Sequence, residues 1–209
     1  MITRQTMRAI GWFMPALLVS NLATAYIVKK SSFNPHRDMI NALQSMSRAD
    51  GPFVVIIGDS LTNNAHFPSR ICEYRTINMG IAGARASTFI QYAEQMSFSN
   101  LHPSLVVIAI GVNDALQTSG SDFKDSLELL LRNLPRSPLA LTTVFQSVAS
   151  ADAINEEIRK AANQRGAILI ETASLGISTT DGVHPNHASQ PTWENAIVSG
   201  IRRGLGCSD

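Results

Sequence analysis

Charge is scarce in this sequence, and what there is nearly cancels. Charged residues make up 16% of the 209 positions and leave a formal net charge of +1, whereas soluble domains average about 25% charged. No dense cluster of Lys and Arg stands out, so the electrostatic footprint of a nucleic-acid binder is missing. No acidic or low-complexity tract occurs, which excludes a long disordered tail. Cysteine appears only at Cys72 and Cys207, without the spacing of a metal clip or a redox motif. That leaves two readings open for the pair: a disulfide, or two free and partly buried thiols.

What the sequence has in quantity is apolar. Hydrophobic residues reach 44% of the chain, enough for one globular domain with a sizeable core. The longest stretch without a charge runs from Ala9 to Val28, "AIGWFMPALLVSNLATAYIV", preceded by Arg4 and Arg8 and followed by Lys29 and Lys30. Its length matches the roughly 20 residues that cross a bilayer as a helix. Ala23-Thr24-Ala25 also fits the small-x-small pattern of a signal-peptidase site. Residues 1–30 are therefore expected to be a signal peptide or a membrane anchor, with a buried core helix as the bland alternative. Either export reading places the remainder outside the cytoplasm, in a bacterial-type periplasm, free or held at the inner membrane. An oxidising compartment of that kind lets a disulfide persist.

Residues 31–51 are polar, contain Pro35, and read as a tether with a short helical possibility at "DMINALQSM". From 52 to 209 the pattern alternates. Strand-like runs occur at Phe53–Ile57, Thr76–Met79, Leu105–Ile110, Leu139–Val144 and Ala167–Ile170. Helical candidates lie at 61–73, 85–97, 121–133, 151–164 and 191–204. In "DSLELLLRNL", Leu127, Leu130, Leu131 and Leu134 have the spacing of one buried helix face. Strands alternating with helices predict βαβ units and a parallel sheet covered on both faces.

In such a sheet, ligands bind beyond the carboxyl ends of the strands. Reading those ends gives "GDS" at 58–60, "NMGIAG" at 78–83 and "GVND" at 111–114, with "DGVHPN" at 181–186 before the last helix. Each cluster alone is weak, since Asn-Asp and Asp-x-x-His are ordinary turn and surface chemistry. Together their groups are complementary. Ser60 offers a hydroxyl at a helix start, His184 an imidazole base, and Asp181 an acceptor to fix the ring tautomer. Gly83 can present an unobstructed backbone N–H, and Asn113 a side-chain amide, to a developing oxyanion. Asp59 is expected to hydrogen-bond the loop that holds Ser60 rather than do chemistry.

These clusters resemble the blocks of the SGNH (GDSL-type) hydrolase family: "GDSL" at 58–61, the glycine of "NMGIAGA", "GVND", and "DGVHP". The resemblance spans about 53 to 204. It implies a flavodoxin-like three-layer α/β/α sandwich with a parallel five-stranded sheet, and a serine esterase or acyl-transfer mechanism that needs no metal or cofactor. By motif it implies Ser60 as nucleophile, His184 as general base and Asp181 as its orienting partner. The oxyanion hole it implies is the N–H groups of Ser60 and Gly83 and the Asn113 amide. Gly80 competes with Gly83 for that place, and Gly83 is preferred because Asn78 anchors the match. The text after the last block, "HASQPTWENAI", departs from the family's usual small residue, Gly and aromatic. Trp193 is expected to pack under the last helix or to line an acyl pocket.

The rival readings are a transferase passing acetyl groups to polysaccharide with the same triad, and a non-catalytic glycan-binding protein. A metal held by Asp181, His184 and His187 is disfavoured because Pro185 breaks any regular helix through them. His66 and His102 are explained as solvated surface side chains, and Arg85 as an exposed arginine, with contact to an anionic group on the substrate as its alternative. Short loops between blocks predict an open, shallow site suited to short acyl esters, O-acetyl groups on exported carbohydrate foremost. Lysophospholipid or other lipid-linked esters are the alternative. The expected partners are thus a small-molecule or glycan ester, no nucleic acid, and a membrane if the N-terminal segment is retained.

Overall fold

Six strands form the central sheet, and the most apolar of them lies at its middle. The computed structural model describes residues 35–48, 51–117, 120–146, 148 and 150–207; the apolar segment expected as signal or anchor lies outside them. The elements in chain order are α1 (Pro35–Ser47), β1 (Phe53–Gly58), α2 (Ser60–Asn63), β2 (Arg70–Ile71), β3 (Tyr74–Gly80), a 3-10 turn (Ala86–Phe89), α3 (Ile90–Phe98), β4 (Leu105–Ala109), α4 (Val112–Gln117), α5 (Gly120–Asn133), β5 (Leu139–Thr142), α6 (Ala151–Arg165), β6 (Ile168–Ile170) and α7 (Gln190–Leu205).

Every residue of β1 is buried, as expected of a parallel strand covered on both faces. It pairs in parallel with β3 on one side and β4 on the other, with Gly58 level with Gly80 and Ala109. The sheet order is β2-β3-β1-β4-β5-β6. All pairs are parallel except β2 with β3. The parallel strands alone follow the flavodoxin-like order, whose ligand crevice opens where chain direction across the sheet reverses, between β1 and β4.

The short antiparallel β2 was not expected, and it replaces most of the helix anticipated over 61–73. That helix lasts one turn, ending at Asn63. The chain then passes Pro68 and returns as Arg70–Ile71 to pair with the start of β3. A further helix, α4, begins directly at "VND", where a turn was expected. The other helices fall close to their expected places.

From Met39 onward the chain forms one compact unit. Within the stretch read as a tether, α1 buries Met39, Leu43 and Met46 in the core. In α5, Leu127, Leu130, Leu131 and Leu134 are all buried, so the leucine spacing did mark the inner face. Truncating a side chain such as Leu130, fully enclosed, to alanine would cost about 2–5 kcal/mol. On α7, Trp193, Ile197 and Ile201 face inward, and the helix packs along β4, β5 and β6. Cys72, in the β2–β3 turn, is disulfide-bonded to Cys207 just beyond α7, closing a sequence separation of 135 residues. Of the two readings left open for the cysteines, the structure takes the disulfide. No helix among the described residues is long and apolar enough to cross a membrane.

Candidate active site

The turn after β1 is built around Asp59. Its Oδ1 accepts the Leu61 N–H at 2.9 Å, capping the single turn of α2 on which Ser60 stands. The carboxyl is almost fully enclosed, and burial pushes its pKa up to about 7 against the opposing pull of the Leu61 N–H. Asp59 thus serves the loop, as expected. Ser60, next along, is partly exposed.

The end of β3 is bound to this turn. Asn78 donates its side-chain amide to the Thr62 carbonyl at 2.7 Å and accepts the Gly80 N–H at 2.8 Å. The Ile81 N–H then reaches the Gly58 carbonyl at 2.9 Å. These bonds separate the two candidate glycines. The Gly80 N–H is already used, and a Cβ there would run into the Asn63 backbone, so Gly80 is required by close packing. Gly83 is exposed, has φ of +75°, and a Cβ there would meet nothing within 4 Å. Among the described residues no acceptor engages its N–H.

Two neighbours in α4 hold the loop that carries Gly83. Asn113 donates Nδ2–H to the Ala84 carbonyl at 3.0 Å. Asp114, buried, accepts the Ala86 N–H through Oδ2 at 3.1 Å. Burial pushes the Asp114 pKa up, opposed by the Ala86 N–H and by the charge of Arg85. Sequence reasoning gave Asp114 no role and Arg85 only a surface one. The signal was present in "ND" opening a helix after a buried strand, but its target lies 28 positions away.

The segment Asp181–His184 closes the site from the other side. Asp181 Oδ1 accepts the N–H groups of Val183 and His184 at 3.0 and 2.8 Å, while its Oδ2 lies 2.7 Å from His184 Nδ1. These bonds, the His184 N–H first, hold the Asp181 carboxyl well below the usual carboxylate range. Across the gap, His184 Nε2 lies 2.9 Å from Ser60 Oγ. The structure therefore brings Ser60, His184 and Asp181 into one row, joining residues 124 positions apart. With Nδ1–H directed at a carboxylate, Nε2 is left as the acceptor facing a hydroxyl, an arrangement able to take a proton from Ser60 as it attacks.

Both ring nitrogens of His184 are engaged in this row. Among the described residues no group of three His, Cys, Asp or Glu side chains could hold a metal ion. His66 is almost fully exposed and lies 3.9 Å from Glu194; His102 and His187 are exposed. Trp193 is buried, its ring 6.0 Å from that of Phe67. It also lines a cavity of about 10 Å³ behind the site, together with Asp59, Leu61, Val112, Val144 and Gln146.

Fold and site define a class, an ester hydrolase of the SGNH type. The chain belongs to the GDSL-like lipase/acylhydrolase family, which it matches over residues 56–190. Solved structures share the fold at low identity. The psychrotrophic esterase EstA from Pseudoalteromonas sp. is 17% identical, with 75% of this chain and 100% of that one aligned at a TM-score of 0.59. A carbohydrate esterase family 3 protein from Talaromyces cellulolyticus is 16% identical over 75% of this chain and 99% of its own, with a TM-score of 0.60. A GDSL-like lipase from Bacteroides thetaiotaomicron is 18% identical over 80% and 98%, with a TM-score of 0.62. No curated protein matches the chain.

Proposed function

We propose that this protein is a serine esterase that removes short acyl groups, O-acetyl foremost, from exported carbohydrate. The observation that carries the mechanism is the row of contacts at 2.9 Å and 2.7 Å from Ser60 Oγ through His184 to Asp181. Ser60 Oγ attacks the acyl carbonyl carbon while its proton passes to His184 Nε2, and Asp181 stabilises the imidazolium through Nδ1–H. The oxyanion is received by the N–H groups of Ser60 and Gly83 and by the Asn113 amide. Collapse expels the alcohol, which leaves with the proton from Nε2. Water, deprotonated by the same nitrogen, then attacks the acyl-Ser60 ester, releasing the acid and restoring the hydroxyl.

Support for a short acyl group comes from exposure. The His184 and Asp181 side chains are 39% and 54% exposed, on an open surface rather than in a deep apolar channel. A carbohydrate esterase from Talaromyces cellulolyticus and a solved acetyl esterase variant holding acetate are among the proteins of similar fold, as is a GDSL-like lipase, so the short-acyl reading rests on the exposure of the site. An extracytoplasmic location, periplasmic and either free or anchored by the apolar segment from Ala9 to Val28, agrees with the Cys72–Cys207 disulfide.

The test is hydrolysis of p-nitrophenyl acetate, butyrate and octanoate by the full chain, with Ser60→Ala as control. Ser60-dependent turnover that falls with chain length is expected. Turnover rising with chain length would move the substrate to lipids, and none at all from the folded protein would leave acyl transfer to a sugar hydroxyl as the reading.

A further inference from the structure

The end of β5 has no part in the mechanism above, yet it carries a buried amide aimed at the catalytic loop. Gln146 is 3% exposed, and its Nε2–H donates to the Val183 carbonyl at 2.7 Å. Val183 stands between Asp181 and His184, and the N–H groups of Val183 and His184 both return to Asp181. The segment is otherwise held from within: Thr180 N–H bonds the His184 carbonyl, and Thr179 bridges Pro185. Among the described residues, Gln146 and Ser60 make the hydrogen bonds that reach residues 181–184 from elsewhere in the fold.

The support behind Gln146 is itself clamped. Asn155 of α6, buried, accepts the Val144 N–H at 2.6 Å and donates to the Val144 carbonyl at 2.8 Å. A series of contacts therefore runs from α6 through Val144 and Gln146 to Val183 and the imidazole. The amide orientation follows from chemistry, since the opposite flip would set Oε1 against the Val183 carbonyl, acceptor against acceptor. In the orientation seen, Oε1 is buried with no hydrogen-bond partner among the described residues.

We propose that Gln146 is a positioning residue for His184: by holding the Val183 carbonyl it sets the distance of Nε2 from the Ser60 hydroxyl. This rests on the reading of Ser60, His184 and Asp181 as catalytic. It adds that a fourth strand end, beside those carrying Ser60, Gly83 and Asn113, also serves the reaction.

The test uses the full chain with Gln146→Met, which keeps length and loses the donor, and Gln146→Glu, which keeps shape. Measured are kcat and KM on p-nitrophenyl acetate, the thermal midpoint, and the far-downfield proton resonance of His184 Nδ1–H in the Asp181 hydrogen bond. The expected result for Gln146→Met is kcat lower by roughly 10- to 100-fold, KM within about twofold, a midpoint near the parent's, and a shifted or broadened resonance. Wild-type kcat with an unmoved resonance overturns the proposal, as does loss of the folded state in both variants. The resonance reads the link even if the parent shows no Ser60-dependent hydrolysis, so failure of the esterase reading is distinguishable from failure of this one.

Discussion

Asp181 grips His184 twice, taking its backbone N–H on one carboxylate oxygen at 2.8 Å and facing its ring Nδ1 with the other at 2.7 Å. The residue that orients the imidazole therefore also shapes the turn that presents it. Asp181→Asn can keep the backbone bonds through its remaining oxygen, but its NH₂ group would face Nδ1. The ring would then hold its proton on Nε2 and be unable to accept from Ser60. The expected result is an unchanged fold by circular dichroism and kcat lower by roughly 10³–10⁴.

Asn113 gives one amide hydrogen to the Ala84 carbonyl, and in the proposed mechanism the other meets the oxyanion. Asn113→Ala should lower kcat by roughly 10²–10³, as loss of one oxyanion donor does, with KM changed far less. A variant with raised KM and normal kcat would assign the amide to ground-state binding instead.

Asp59 should give the protein a distinctive pH dependence. Its folded pKa of about 7 lies above the ordinary carboxylate value of 3.8, so the folded chain binds a proton that the unfolded chain has released. Stability from this group is complete below pH 3.8 and is lost as the pH rises to about 7. The slope is on the order of 1 kcal/mol per pH unit. Asp59→Asn keeps the acceptor for the Leu61 N–H but cannot ionise. Its thermal midpoint should fall less than the parent's between those limits. Asp114, raised in the same direction, remains in both chains, but its charge also raises the Asp59 pKa, so the difference between the two chains reads the coupled pair.

The disulfide should matter to stability and not to chemistry. Cys72 and Cys207 close a separation of 135 residues, and Cys72 lies in the turn that opens β3, whose other end, Gly80, is level with Gly58 beside Ser60. The paired Cys72→Ala/Cys207→Ala variant should lose about 2–5 kcal/mol, a midpoint fall of roughly 5–15 °C. Its kcat at 25 °C should match the parent's. Reductant should produce the same fall in the parent and none in the variant.

Much of this site could be read before any fold was known, because its chemistry sits in short local patterns. An unbroken apolar run ending in Gly58-Asp59-Ser60 has the pattern of a buried strand delivering a hydroxyl, and Asp181 and His184 stand at a spacing that lets one turn join them. The single turn of α2 was missed because residues 61–63 have helical character; the helix ends at Asn63, and Pro68 and the pairing of Arg70–Ile71 with β3 take up the rest of the expected span. Gln146 could not be read either, its acceptor lying 37 positions away in a loop with no pattern of its own.

The sequence by itself determined the periodicities, and with them the alternation of strands and helices, the buried face of α5 and the groups waiting at the strand ends. Only the tertiary structure bound the Gly80 N–H to Asn78 and left Gly83 open, paired Cys72 with Cys207, and set His184 against Ser60. The last two outcomes depend on distance between segments remote in the chain. Local propensity carries no information about such distances, whereas sheet register and close packing set them to within a few tenths of an ångström.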